Sequence, residues 1–329
     1  MMLKRLALAA LCLLGPVFSA NAANFISFDP PGSLGTDPAS INASGSIAGD
    51  YSYTPLFAHG FVRAPDGSYT SFDAAGALST LPASINDTGA IAGFYIDRNS
   101  QAHAFVRAAD GTITTFDPQG SNNTQATGIN GNGTITGFYY DSNSRTHGFV
   151  RAADGTITKF DPRGSTDTVA RSINAKGEIA GFYVDANRQG HSFVRGANGR
   201  FTTVDVPQAL DTSALGINDK GAITGNYQDS AYVTHGFARA ADGTITTFDP
   251  PGFVETLPFS INRAGRITGT YYAGNGQSHG FVRATSGKII TFDPPASSVT
   301  WAAAINNAGA ITGKYLDKHG VYHGFVRIP

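Results

Sequence analysis

Ile173-Asn174-Ala175-Lys176-Gly177-Glu178-Ile179-Ala180-Gly181 decides the fold of this chain, because the same phrase occurs seven times at one spacing. Written as Ile-Asn-x-x-Gly-x-Ile-x-Gly, it puts its Asn at Asn42, Asn86, Asn130, Asn174, Asn218, Asn262 and Asn306, always 44 residues apart. A His-x-Phe-x-Arg phrase keeps the same step at His59, His103, His147, His191, His235, His279 and His323. So does the Asp closing each Thr-Phe-Asp-Pro-like segment: Asp29, Asp73, Asp117, Asp161, Asp205, Asp249 and Asp293. A fixed period of this size means one supersecondary unit stacked on copies of itself, because a single unit cannot bury its own apolar surface.

Working outward from the quoted phrase, residues 169–174 read as a short strand and residues 177–184 as a second. Residues 189–195 make a third and residues 201–205 a fourth, rich in β-branched side chains. No stretch carries a helical apolar stripe. The fold expected is therefore all-β: a seven-bladed β-propeller with four antiparallel strands per blade. In the first turn of each repeat, Asn supplies a side-chain acceptor and the Gly three residues on takes a positive φ. Between the third and fourth strands stand pairs such as Asp66-Gly67 and Asp110-Gly111. Pro65 before Asp66 favours a three-residue loop with a type I turn and a Gly bulge, since a two-residue turn needs the N–H that proline lacks. The repeat is out of phase with the termini. Residues 24–29 form a fourth-type strand and residues 323–327 a third-type strand, so the N-terminal strand is expected to complete the last blade and close the ring. Closure removes two open sheet edges.

The first 22 residues read as a signal peptide: a basic head at Lys4 and Arg5, an apolar run from Leu6 to Phe18, and Ala20-Asn21-Ala22 as a small-x-small cleavage site. Residues 23–329 then form a single propeller of seven 44-residue repeats, secreted or periplasmic. The apolar run is too short for a membrane span, and no later segment serves as one. Cys12, the only cysteine, lies inside that run. The mature chain is expected to hold no disulfide, Cys-type metal site or cysteine nucleophile. With 23 Lys and Arg against 24 Asp and Glu, two of the basic residues in the leader, no basic excess exists to attract nucleic acid or anionic membrane. The expected state is a monomer.

The chain resembles the HAF-repeat proteins, a group of probable extracellular bacterial proteins named for a His-Ala-Phe motif. His103-Ala104-Phe105 matches that motif, five other repeats read His-Gly-Phe, and His191 is followed by Ser-Phe, a mild departure. The resemblance covers nearly all of the mature chain and implies location and repeat type. It carries over no activity and no catalytic residue.

Residues present in every repeat serve a need of every repeat, whereas a site must break the symmetry. The three-residue loop sets His59 opposite Asp73, and the pairs His103–Asp117, His147–Asp161, His191–Asp205, His235–Asp249, His279–Asp293 and His323–Asp29 follow. These are expected to be structural, tying third strand to fourth by a charge-assisted hydrogen bond. Segments such as Asp97-Arg98-Asn99 and Asp141-Ser142-Asn143 look like the start of a calcium loop but lack its later Gly and bidentate Glu, so turn chemistry is the expectation. No metal and no cofactor are expected. The two glutamates, Glu178 and Glu255, occupy different repeat positions and make no glycosidase pair.

Variation concentrates after the seven-fold Thr: Asp37, Leu81, Gln125, Val169, Ser213, Leu257 and Trp301, and two positions later Ala39, Ala83, Thr127, Arg171, Leu215, Phe259 and Ala303. These are expected to ring the mouth of a central channel, with Trp301, Arg171, Phe259, Asp37, Gln125, Ser213 and Leu215 as candidate ligand-binding residues. The favoured function is a binding or scaffold module for glycan or protein. The rivals are a polysaccharide lyase or glycoside hydrolase at the channel mouth, and a purely structural surface or matrix protein.

Overall fold

The computed structural model describes residues 24–54 and 57–329; the expected leader, residues 1–22, lies outside them. Among the described residues there are 28 strands and no helix. Five sheets have four strands each, and a sixth has eight, formed from two four-strand sets joined by a single parallel bridge, Thr234 to Glu255. The sheets are antiparallel within each set.

Around the quoted phrase the strands run Ser165–Ile173, Ile179–Asp185, Gly190–Arg195 and Phe201–Thr203. The first starts four residues before the expected position because Ser165 already pairs with Asp185. The second starts two residues late, since Gly177 is still in the turn at φ +78°. The fourth stops at Thr203, and Asp205 leaves the ladder to accept from the Ser192 N–H through its side chain.

Turn chemistry explains these limits. Asn174 Oδ1 accepts the backbone N–H groups of Lys176 and Glu178, holding the tight turn closed. Between third and fourth strands the loop is the three-residue form: Ala64 N–H donates to Ser68 O at 2.8 Å, and Gly67, at φ +91°, donates to Ala64 O. The Asn has a second role. Its Nδ2 donates to the backbone carbonyl of the Asn one repeat further on, from Asn42 to Asn86 at 3.1 Å and onward through the series. Asn306 donates in turn to Asn42 O at 3.0 Å, so the circuit returns to its start. Strand Asn24–Phe28 pairs antiparallel with Tyr322–Ile328, Phe28 standing opposite Gly324.

The core lies between neighbouring sheets rather than within one. Phe105, Ile91 and Ile85 of one repeat pack with Ala48 of the repeat before it. Phe28, Ile41, Ile47 and Phe61 pack with Val326 where the last and first repeats meet. The Phe of each His-x-Phe-x-Arg phrase is fully buried, Phe149 being 0% exposed. The Arg of the same phrase lies over an aromatic ring of the preceding repeat: Arg151 stands 4.8 Å from the Phe116 centroid and Arg107 4.8 Å from Phe72. The buried Nε of Arg151 has no hydrogen-bond partner, so the ring face is its main compensation. Arg239 is the exception, because Val204 stands where the other repeats have Phe.

Candidate functional site

In each repeat a β-bulge aims the variable side chains. The register of every first strand slips at the residue three beyond the seven-fold Thr, and the strands starting at Ser165 and Phe253 slip a second time near their beginning. Arg171 is the extra residue between Ala170 and Ser172, Leu215 between Ala214 and Gly216, and Phe259 between Pro258 and Ser260. A bulge turns its extra side chain away from the pleat and raises the local twist. The Gly closing each quoted phrase is what the bulge requires. A Cβ on Gly181 would run into the Val169 carbonyl, and one on Gly137 into that of Gln125.

The bulged residues and their neighbours line a cavity of about 500 Å³. Five of the seven candidates meet there: Gln125, Arg171, Ser213, Leu215 and Phe259. Trp301 is not in the wall; its ring stacks on Phe259 at 5.3 Å between centroids and 20° between planes. Asp37 is elsewhere. It forms an ion pair with Lys314, joining the first repeat to the last.

Sequence reasoning missed the partners of these residues on the second strand. Asp50 pairs with Asp37, Phe182 with Val169, Asn226 with Ser213, and Lys314 with Trp301. Phe94, Phe182 and Asn226 line the cavity. The signal was present as the residue after the last Gly of the phrase: Asp50, Phe94, Phe138, Phe182, Asn226, Thr270 and Lys314. Asp50 is electrostatically the most unusual of them. Burial is the main cause that pushes its carboxyl up to about 8; the charge of Asp37 raises it further and Lys314 opposes both. The Arg171 side chain is exposed at the cavity yet has protein on most sides, so desolvation lowers its pKa, and its guanidinium lies 5.7 Å from the Phe182 centroid.

The seven His–Asp pairs are within hydrogen-bond reach, from 2.6 Å for His323 Nδ1 to Asp29 to 2.8 Å for His147 Nδ1 to Asp161. They lie near the surface, the His147 side chain being 25% exposed. A Tyr stacks on the imidazole, Tyr139 on His147 at 5.2 Å. In five repeats a turn Asp faces the other ring nitrogen, Asp141 at 3.5 Å from His147 Nε2. Burial lowers the pKa of His147, His235 and His323, but the hydrogen bonds and charges of the flanking Asp pairs outweigh it and the net direction is upward. Asp97 and Asp141 also accept backbone N–H groups of their own turns, as turn residues do. Among the described residues no group of three or more His, Cys, Asp or Glu is placed to hold a metal ion.

The chain shares its architecture with the β-propeller domain of the Trilobed protease from Pyrococcus furiosus. The TM-score is 0.61 at 10% identity, over 89% of this chain and 95% of that one. The fold is a β-propeller. BP39L lectin from Burkholderia pseudomallei superimposes with a TM-score of 0.55 at 9% identity, over 93% of this chain and 96% of that one. A prolyl endopeptidase gives 0.63 at 11% identity, over 87% of this chain but 47% of that one, so this chain spans about half its length. No family model matches the chain, and no curated protein sequence does. At such identities the likenesses establish the fold alone.

Proposed function

We propose that this protein is an exported binding module that takes a saccharide at the mouth of a closed, seven-bladed propeller. The 28 strands in sets of four, the Asn circuit and the pairing of strand 24–28 with strand 322–328 support the closed ring. The signal-like leader and the resemblance to HAF-repeat proteins support a periplasmic or extracellular location.

One observation carries the binding site: five symmetry-breaking side chains converge on a single cavity of about 500 Å³. Its wall alternates aromatic faces, Phe94 and Phe259, with amides and hydroxyls from Gln125, Asn226, Thr127 and Ser213. Apolar faces beside groups that both donate and accept suit a sugar ring, which offers C–H faces and hydroxyl edges. A lectin is among the solved structures of similar architecture, which is consistent with the reading.

The test is a glycan and polysaccharide array with analysis of products, repeated in solution with Trp301 emission as the signal. Trp301 is the only tryptophan and backs onto Phe259, so a sugar seated on Phe259 should change its emission. If an array ligand binds without altering Trp301 emission, and Phe259→Ala binds it equally well, the site is wrong. Asp50, poised near neutrality beside Asp37, favours a second reading as a lyase or hydrolase. Shortened saccharides in the product analysis, absent with Asp50→Asn, would select that reading.

A further inference from the structure

Arg171 has a feature that binding of neutral sugars leaves unexplained. The other bulged positions hold Ala39, Ala83, Thr127, Leu215, Phe259 and Ala303, so the fold does not need a cation there. Of the residues lining the cavity Arg171 alone is charged. Among the described residues it forms no ion pair, and its one close partner is the face of Phe182. Lys314, the cation among the variable second-strand positions, is neutralised by Asp37 within the molecule. The arginines of the His-x-Phe-x-Arg phrases, Arg239 excepted, lie packed between repeats over rings. An exposed guanidinium of this kind, with protein on most sides and no ion pair within the molecule, is placed to take an anion from solution.

Resting on the saccharide reading above, we propose that the cavity is specific for acidic sugars, with Arg171 gripping a uronic acid carboxylate. A guanidinium presents two parallel N–H groups to the two oxygens of a carboxylate, a fit that an ammonium does not reproduce. The wall around Arg171 adds neutral partners: Gln125, Ser213 and Asn226 meet the hydroxyls, and Phe259 and Phe94 offer faces to the ring. An acidic peptide would also satisfy the cation, but a sugar ring uses the two aromatic faces and the surrounding amides and hydroxyls at once. No carboxylate of the protein lines the cavity to repel the ligand.

The experiment measures binding by calorimetry and Trp301 emission of oligomers of galacturonate, of glucuronate and of mannuronate. The same oligomers methyl-esterified and an oligo-aspartate peptide serve as comparisons. At least one uronate should bind, losing about tenfold or more in affinity on esterification, where the loss of one charge-assisted bidentate contact places it. Arg171→Leu should erase the preference for acid over ester, and Arg171→Lys should keep the charge but recover only part of the affinity. Both variants should melt with the wild-type protein, since Arg171 is not part of the packed core.

Equal binding of uronates and their esters overturns the acidic specificity and leaves the saccharide site standing. Undiminished binding of a uronate by Arg171→Leu overturns it as well, as does a peptide bound as tightly as the best uronate. Failure of every oligomer, charged or esterified, overturns the acidic specificity, and failure of every glycan on the array overturns the saccharide site itself.

Discussion

Replacing Asp50 with Asn should make the protein more stable, by an amount that grows with pH. Asp50 stands opposite Asp37 on the neighbouring strand, and Asp37 is held by Lys314. Its carboxyl is raised from 3.8 to about 8, burial being the first cause and Asp37 the second. Between those two values the unfolded chain has released the proton and the folded chain still holds it. Folding there takes up a proton, so stability falls as pH rises through the window. Below the unfolded value the cost vanishes, and above the folded value it is complete. Asn has the shape of the neutral acid and cannot ionise. For a dry site each pH unit inside the window is worth about 1.4 kcal/mol, which sets a ceiling of roughly 4 kcal/mol at pH 7. By its surface area Asp50 is only partly buried, so solvent screens the carboxylate, and about 2 kcal/mol is the gain expected there.

The assay is urea denaturation of wild-type protein and Asp50→Asn at pH 5, 7 and 8.5. The histidines contribute equally to both proteins and drop out of the difference. The gap should open from a few tenths of the pH 8.5 value at pH 5 to its full size at pH 8.5. A gap independent of pH, or a variant less stable at pH 7, would refute the argument that Asp50 is buried as the neutral acid.

Three further outcomes are expected. His147→Ala should cost about 1 kcal/mol by urea midpoint, because the pair with Asp161 is partly solvated, and should leave ligand affinity intact; lost binding in a variant that melts normally would contradict a structural role. The raised pKa values of His147, His235 and His323 add stability that is full below the unfolded value near 6.5 and is lost as pH rises through the folded value, so His147→Ala should differ most from wild type in acid. Deleting residues 23–30 should lower the melting temperature sharply, since Phe28 packs on Phe61 and Asp29 pairs with His323; an unchanged scan would refute closure by that strand. Arg151→Met should cost about 1 kcal/mol more than Arg239→Met, because only Arg151 lies over a ring, and equal midpoints would show that the cation–π contact between repeats contributes nothing.

Strand type and turn type were legible in the sequence because both depend on neighbours within a few residues. Gly177 and Asn174 announce their turn locally, and Asp66-Gly67 after Pro65 announces its loop. The pairing of His147 with Asp161 followed from loop length alone. What was not legible depends on the curvature of one sheet against the next. The Nδ2 of Asn174 donates to Asn218 O, a bond between repeats that no turn rule implies. The approach of Asp141 to the far nitrogen of His147 is of the same kind. Trp301 was readable as an exception by type but not by place: its ring stacks on the bulged Phe259 of the preceding repeat instead of lining the cavity. Asp50 was overlooked because it follows an invariant Gly and precedes an invariant Tyr, which makes a variable position look like part of the repeat.

The two charged groups at opposite stages of the repeat series therefore do different work. Lys314 and Asp37 come from the last and first repeats, which no connection between consecutive repeats links, and their ion pair joins the two. Asp50 beside them is kept neutral, so the junction carries one cation and one anion rather than an excess of acid. The charges there are accounted for by the fold. Arg171 lies in the middle of the series, where covalent connections already hold both neighbours, and no carboxylate of the protein answers it. A cation that the other repeats do without, in a cavity walled by hydroxyls, amides and rings, is the part of this molecule whose purpose the fold alone does not explain.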